Sequence, residues 1–125
     1  MKVSRIDESS LPIFHNWWTS RNNSAFDTEM LPPDGFIVDD ICAGWLYLTN
    51  SVFSAFAWQV SNPSKSPKMV LQGFEMLVEH IQKYAVAAGR PSIFAYTNHH
   101  GLLKLYQKSG FIVGDNNMTH ILYKG

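Results

Sequence analysis

The chain has 125 residues, 46% of them hydrophobic and 16% charged, with ten Lys plus Arg against ten Asp plus Glu. That balance excludes a disordered segment and argues against a strong non-specific hold on nucleic acid or anionic lipid. The length predicts one domain over 1–125, with a core large enough to need no covalent staple.

Residues 2–6, "KVSRI", alternate and suit a first strand. Ser10 is a candidate cap for a helix running through "LPIFHNWWTSR" to about Arg21. On that helix Trp17 and Trp18 are adjacent, so only one can face the core fully; the other reads first as a partly buried core tryptophan and second as a cleft residue, the role that makes Trp18 a site candidate. "NNSAFDTEMLPPDG" reads as a loop with room for one helical turn. Strand-like runs follow at 36–41, 44–50 and 52–60, with links short enough for an antiparallel meander. The third run is apolar almost throughout and should be central, with both faces covered.

"SNPSKSP" breaks that pattern, and a long helix follows to about Ala88. Val70, Phe74, Leu77, Val78, Ile81, Tyr84, Ala85 and Ala88 recur at spacings of three and four, which marks one buried face. Ser66 can cap its start with Pro67 in the first turn, and Gly89 can close it before Arg90-Pro91. Residues 92–97 read as a buried strand and 100–108 as a short helix. The last run, "FIVGDNNMTHILYKG", reads as a hairpin or strand pair around 114–117. The expected class is α/β (α+β): a mixed, twisted central sheet with helices on both faces, its 52–97 strand–helix–strand unit parallel.

The single cysteine, Cys42, excludes an internal disulfide. "MKVSRIDESSL" lacks an apolar signal core, and no run approaches the ~20 apolar residues of a membrane span, so a cytoplasmic location without a membrane partner is expected. His15, His80, His99, His100 and His120 share no ligand spacing with Cys42, so no metal is expected. Neither a Gly-x-Ser-x-Gly turn nor a Gly-x-x-x-x-Gly-Lys loop is present.

The order of elements, and above all "TNHHGLLKLYQKSGF" at 97–111, resembles the GNAT superfamily of acyl-CoA-dependent N-acetyltransferases. The resemblance spans nearly the whole chain in element order and is sharpest over 52–111. It rests on Tyr106-Gln107-Lys108-Ser109-Gly110-Phe111, a tyrosine followed by three residues and Gly-Phe. It implies a single GNAT-like domain, acetyl-CoA as cosubstrate and an amine acceptor: a small amine, a protein amino group or a modified base. It further implies that Tyr106 protonates the departing thiolate. Asn98 or His99 takes the place of the asparagine common seven residues earlier. From the helix pattern alone Tyr106 packs between helix and sheet; a phenol of pKa ~10 also suits the acid role.

By the same resemblance the strand at Trp58, Gln59 and Val60 holds the cofactor's pantetheine arm. Ser64, Lys65, Ser66, Lys68 and Met69 lie at its diphosphate. Here the sequence departs from the family, whose loop is glycine-rich so that amides reach the phosphates at a helix N-terminus. "SNPSKSPKMVLQG" has no glycine before Gly73, already inside the helix. Candidate acceptor-side residues are Glu29, Asp39 and Trp18. The general base stays open among Glu29, Asp39, Asp40 and a water relay. The missing glycines keep a second expectation in view, a binding or inhibitor protein with the same fold and no catalysis. Monomer and homodimer both remain open.

Overall fold

The computed structural model describes residues 1–22, 27–119, 121 and 123. The elements are β1 (Val3–Arg5), α1 (Leu11–Asn22), a 3-10 turn (Thr28–Met30), β2 (Asp34–Val38), β3 (Cys42–Leu48), β4 (Phe53–Ser61), α2 (Pro67–Ala87), β5 (Ser92–Ala95) and α3 (His100–Lys108). The five strands form one sheet in the order β1-β2-β3-β4-β5. The first four pair antiparallel, whereas β5 lies parallel to β4 across the α2 connection. The sheet is therefore mixed, as the strand–helix–strand spacing predicts.

A helical layer covers each face. Phe36, Val38, Leu46 and Phe56 pack with Phe74, Leu77, Val78 and Ile81 of α2 and with Leu102, Leu105 and Tyr106 of α3. On the other face Ile37, Ala43, Trp45 and Val60 meet Phe14 and Trp17 of α1. Of the tryptophan pair, Trp17 is buried while Trp18 lies half-buried against Trp58. Trp18 thus packs at the margin of the α1-side core, as a partly buried core residue.

The ends of α2 and α3 explain why their sequences stop where they do. Ser66 accepts the Met69 amide at 3.2 Å, and Pro67 occupies the first turn of α2, where it forfeits no helical bond. At its far end Gly89 has φ +74°, the Arg90 amide donates to Ala85 O at 2.9 Å and the Gly89 amide to Val86 O at 3.0 Å. This is a Schellman closure, and it needs a residue free to adopt positive φ. The closure of α3 is the same: Gly110 has φ +98°, and the Phe111 amide donates to Tyr106 O at 2.9 Å.

Four expectations change. The α1 start is capped by Asp7, whose carboxylate accepts the Ser9 and Ser10 amides, while Ser10 Oγ accepts the Asp7 amide. A carboxylate accepts two amides at once, so the cap moves upstream of Ser10. β5 is an edge rather than a buried strand, with Phe94 59% exposed, since only its Ile93 and Ala95 face α2. β4 lies between β3 and β5, but its start is uncovered, Phe53 being 43% exposed. The described residues beyond Gly110 carry no strand, and His120, Leu122, Lys124 and Gly125 of the expected hairpin lie outside the described residues, as does 23–26 of the expected loop. No described helix is long and apolar enough to cross a membrane.

Candidate functional site

The sheet opens where β4 outruns β5. Their pairing begins at Phe53↔Ser92 and ends at Phe56↔Ala95, while β4 continues to Ser61. Against β3 the same stretch carries an irregularity: Trp45 pairs Ala57, yet Ala43 pairs Val60. One extra β4 residue is accommodated there, a β-bulge that bends the strand. Trp58 takes φ +58°, a conformation that costs a bulky L-residue on the order of 1–3 kcal/mol.

The extra residue reverses the alternation along β4: Phe56 packs on the α2 side, yet Trp58, two residues on, falls on the opposite side. Trp58 turns to the α1 side, edge-on to Trp18 at 5.3 Å, and its Nε1 donates to Tyr47 Oη at 2.7 Å. Gln59 turns to the α3 side. Its Nε2 donates to Tyr106 Oη at 2.8 Å and to Phe56 O at 3.2 Å. Phe56 O belongs to the last residue of β4 paired with β5, so the carboxamide sits at the mouth of the opening. Val60 is buried in the α1-side core and offers the opening only its backbone.

Tyr106 is 4% exposed. The Gly110 closure folds Phe111 back, and its ring packs edge-on against the Tyr106 ring with centroids 4.9 Å apart. In a Schellman closure the residue after the glycine commonly contacts this very position of the last turn. The Tyr-x-x-x-Gly-Phe spacing thus has a mechanical meaning: it stops the helix and clamps the phenol ring. Burial pushes the hydroxyl well above its ordinary range near 10, so it is neutral at working pH, and the Gln59 hydrogen bond acts in the opposite direction.

The α2 entrance is the candidate phosphate cradle. The Ser64 amide donates to Asn62 Oδ1, the Lys65 amide to Asn62 O and the Met69 amide to Ser66 Oγ. Among the described residues the Ser66 and Lys68 amides of this stretch have no protein acceptor. Lys65 Nζ lies 2.9 Å from Asp40 Oδ2, which holds that exposed carboxyl below its usual range. The two open amides and the Lys68 ammonium are the donors this helix end offers an anion; Lys65 is already engaged with Asp40. Beyond Lys68 an open groove of about 320 Å³ runs between α2 and α3, lined by Leu71, Gln72, Glu75, Gly101, Lys104, Leu105 and Lys108. With Lys68 at its mouth, Lys104 and Lys108 bring its lysines to three against one glutamate, and two leucines supply apolar wall.

The remaining candidates divide. Asn98 is exposed beside α3, while His99 is its N-cap, Nδ1 accepting the Leu102 amide at 3.1 Å. Glu29 is exposed in the 3-10 turn, which is tied to the Trp58 side because Tyr47 Oη donates to Met30 O. Asp39 follows β2, two strands from β4, and accepts the Lys2 amide at 3.2 Å. The fold therefore brings Gln59 and Tyr106 together, gathers Trp18 and Trp58 on the opposite face, and leaves Asp39 remote. Lys104, Lys108 and Tyr47 were not singled out from the sequence. The helical spacing of Gly101, Lys104, Leu105 and Lys108 on one face was the signal available for the groove. Among the described residues no group of three His, Cys, Asp or Glu can hold a metal ion.

No family model matches the sequence, and no curated protein does. Among solved structures the chain is similar to one titled "Putative acetyltransferase from Agrobacterium tumefaciens str. C58", at 13% identity, with a TM-score of 0.68 and full coverage of both chains. That likeness supports the fold: a mixed five-stranded sheet with helices on both faces.

Proposed function

We propose that this chain is an N-acetyltransferase that moves an acetyl group from acetyl-CoA to an amine. The observation that carries the reading is the buried Tyr106 phenol, whose oxygen meets Gln59 where β4 parts from β5. Acetyl-CoA supplies an activated acyl group and a thiolate leaving group. Tyr106 holds a proton at Oη for that thiolate, help worth typically ~10²–10⁴ in rate. The backbone of 57–61, freed from β5, holds the pantetheine arm. The Ser66 and Lys68 amides, with the Lys68 side chain, hold the diphosphate, and the lysine-lined groove takes the nucleotide end.

The acceptor enters from the α1 side, past Trp18, Trp58 and the Glu29 turn. Aromatic rings there exclude water and leave an amine neutral more readily than open solvent does. Among the described residues the one polar side chain bonded to Tyr106 is the Gln59 carboxamide, with no carboxylate, so a water relay fits the base role better than Asp39. Acceptors of the expected classes are a small amine, a protein amino group or a modified base.

A second reading, a binding or inhibitor protein without catalysis, is favoured by one observation. Lys65 is paired with Asp40 and the loop has no glycine, which leaves the cradle two open amides. The two readings separate in one experiment. Melting curves are recorded with and without acetyl-CoA, and thiol release is followed with a panel of amines. Ligand at about 100 times its dissociation constant stabilises by about 2.7 kcal/mol. A shift with amine-dependent thiol release supports the transferase. No shift at about millimolar acetyl-CoA, in contrast, removes it and leaves the binding protein.

A further inference from the structure

We infer that Gln59 is a positioning residue: its carboxamide holds the Tyr106 oxygen from one side, so that the phenol's own hydrogen is directed into the opening between β4 and β5. The inference rests on the transferase reading for its consequence, but the hydrogen-bond geometry stands by itself.

A primary carboxamide has two N–H donors on one nitrogen and an acceptor-only oxygen. Here the nitrogen lies 3.2 Å from Phe56 O and 2.8 Å from Tyr106 Oη. Phe56 O is a carbonyl and can only accept. Turning the amide over would set two carbonyl oxygens against each other, so the Phe56 contact fixes which end of Gln59 faces the phenol. One Nε2 hydrogen serves Phe56 O and the other serves Tyr106. The phenol oxygen is then an acceptor in this contact, and its own hydrogen must point elsewhere. Among the described residues that hydrogen has no protein acceptor. Its ring is clamped by Phe111 and is 4% exposed, which leaves rotation about the C–O bond as the main freedom. Gln59 takes one side of the oxygen, and the hydrogen is left to the side where β4 has no β5 partner.

The bulge explains how a β4 side chain reaches this position. The extra residue at Trp58, φ +58°, shifts the alternation by one, so that Gln59 rather than Trp58 faces the α3 layer. The strained residue lies next to the one that contacts the phenol, as stored backbone strain often does beside a reacting group. A proton donor whose hydrogen already faces its acceptor avoids a reorientation in the transition state.

The test uses the whole chain and three variants. Gln59→Met keeps the volume and removes the donor. Gln59→Glu keeps the shape but, once ionised, only accepts, so it draws the phenol hydrogen away from the opening. Tyr106→Phe removes the phenol oxygen. In isotope-labelled wild type one Gln59 side-chain N–H resonance is expected to be displaced and slow to exchange, and Tyr106→Phe should return it to an ordinary position. Turnover with acetyl-CoA should fall about tenfold in Gln59→Met, the worth of one hydrogen bond, with KM for acetyl-CoA unchanged, and further in Gln59→Glu. A structural role alone predicts equal loss of melting temperature in both Gln59 variants with kcat intact, and that result overturns the inference. So does a Gln59 resonance indifferent to Tyr106→Phe. Absence of wild-type turnover would sink the transferase reading, while the resonances would still decide whether Gln59 orients the phenol.

Discussion

Tyr106→Phe separates packing from chemistry. The substitution keeps the ring, its contact with Phe111 and its place between α3 and the sheet, and deletes one oxygen. That oxygen accepts one hydrogen bond, from Gln59 at 2.8 Å. Gln59 keeps its second donor on Phe56 O, so one N–H is left unmatched in a half-buried site. The stability loss should be about 1 kcal/mol, and the melting temperature should fall about 3–6 °C for a chain of this length. If the hydroxyl also protonates the thiolate, kcat falls ~10²–10⁴, or about 3–5 kcal/mol on the barrier, while KM for acetyl-CoA stays put. Two measurements read this, a melting curve and steady-state thiol release. A variant that melts lower by the stated amount yet turns over at the wild-type rate refutes the acid role and leaves Tyr106 a core residue.

Gly73→Ala should destabilise despite Ala's better helix propensity. An added Cβ would lie 2.7 Å from Ile41 Cγ2 and 3.1 Å from Cys42 Sγ, both buried, so overpacking of about 1–3 kcal/mol outweighs a gain of about 1 kcal/mol. A denaturant melt showing a more stable variant would contradict this close helix–sheet approach. His80 packs against Phe36 at 4.7 Å, and burial, with Arg5 and Lys83 nearby, holds its folded pKa below the ordinary 6.5. Its contribution is therefore present above about pH 6.5 and lost as pH falls through the folded value. Melting temperature should decline over that interval, and His80→Phe should reduce the decline; an identical slope in the variant would acquit His80. Tyr106 has the opposite sign: its raised folded pKa gives stability that is full below about pH 10 and lost as pH rises through the folded value. Tyr106→Phe should flatten that alkaline decline, and an equally steep fall in the variant would contradict the burial argument.

Much of the frame was legible because it depends on local rules. Val70 to Ala85 mark the α2 face by spacing alone, and Ser66, Pro67 and Gly89 mark its ends by donor count and backbone freedom. The Tyr-x-x-x-Gly-Phe run was legible in the same way, and the structure shows why: glycine ends the helix and Phe111 folds onto Tyr106. What escaped was set by non-local pairing. The Trp58 bulge exists because β3 and β4 fall out of step by one residue, which no property of "VFSAFAWQV" announces. The exposure of Phe94 follows from β5 lying at the sheet edge rather than from its apolar composition. Lys65 looked like a free cation until the β2–β3 turn brought Asp40 to it. The meeting of Gln59 with Tyr106 joins residues 47 positions apart and becomes visible only in three dimensions.

The central claim is where acetyl-CoA sits, and an amide chemical-shift titration of the labelled chain tests it most directly. Added acetyl-CoA should move the backbone resonances of Ser66, Lys68 and 57–61 together with the Gln59 side-chain amide, leaving the β1 edge near Asp39 undisturbed. Saturation with those resonances unmoved, or movement confined to another face of the sheet, would contradict the account.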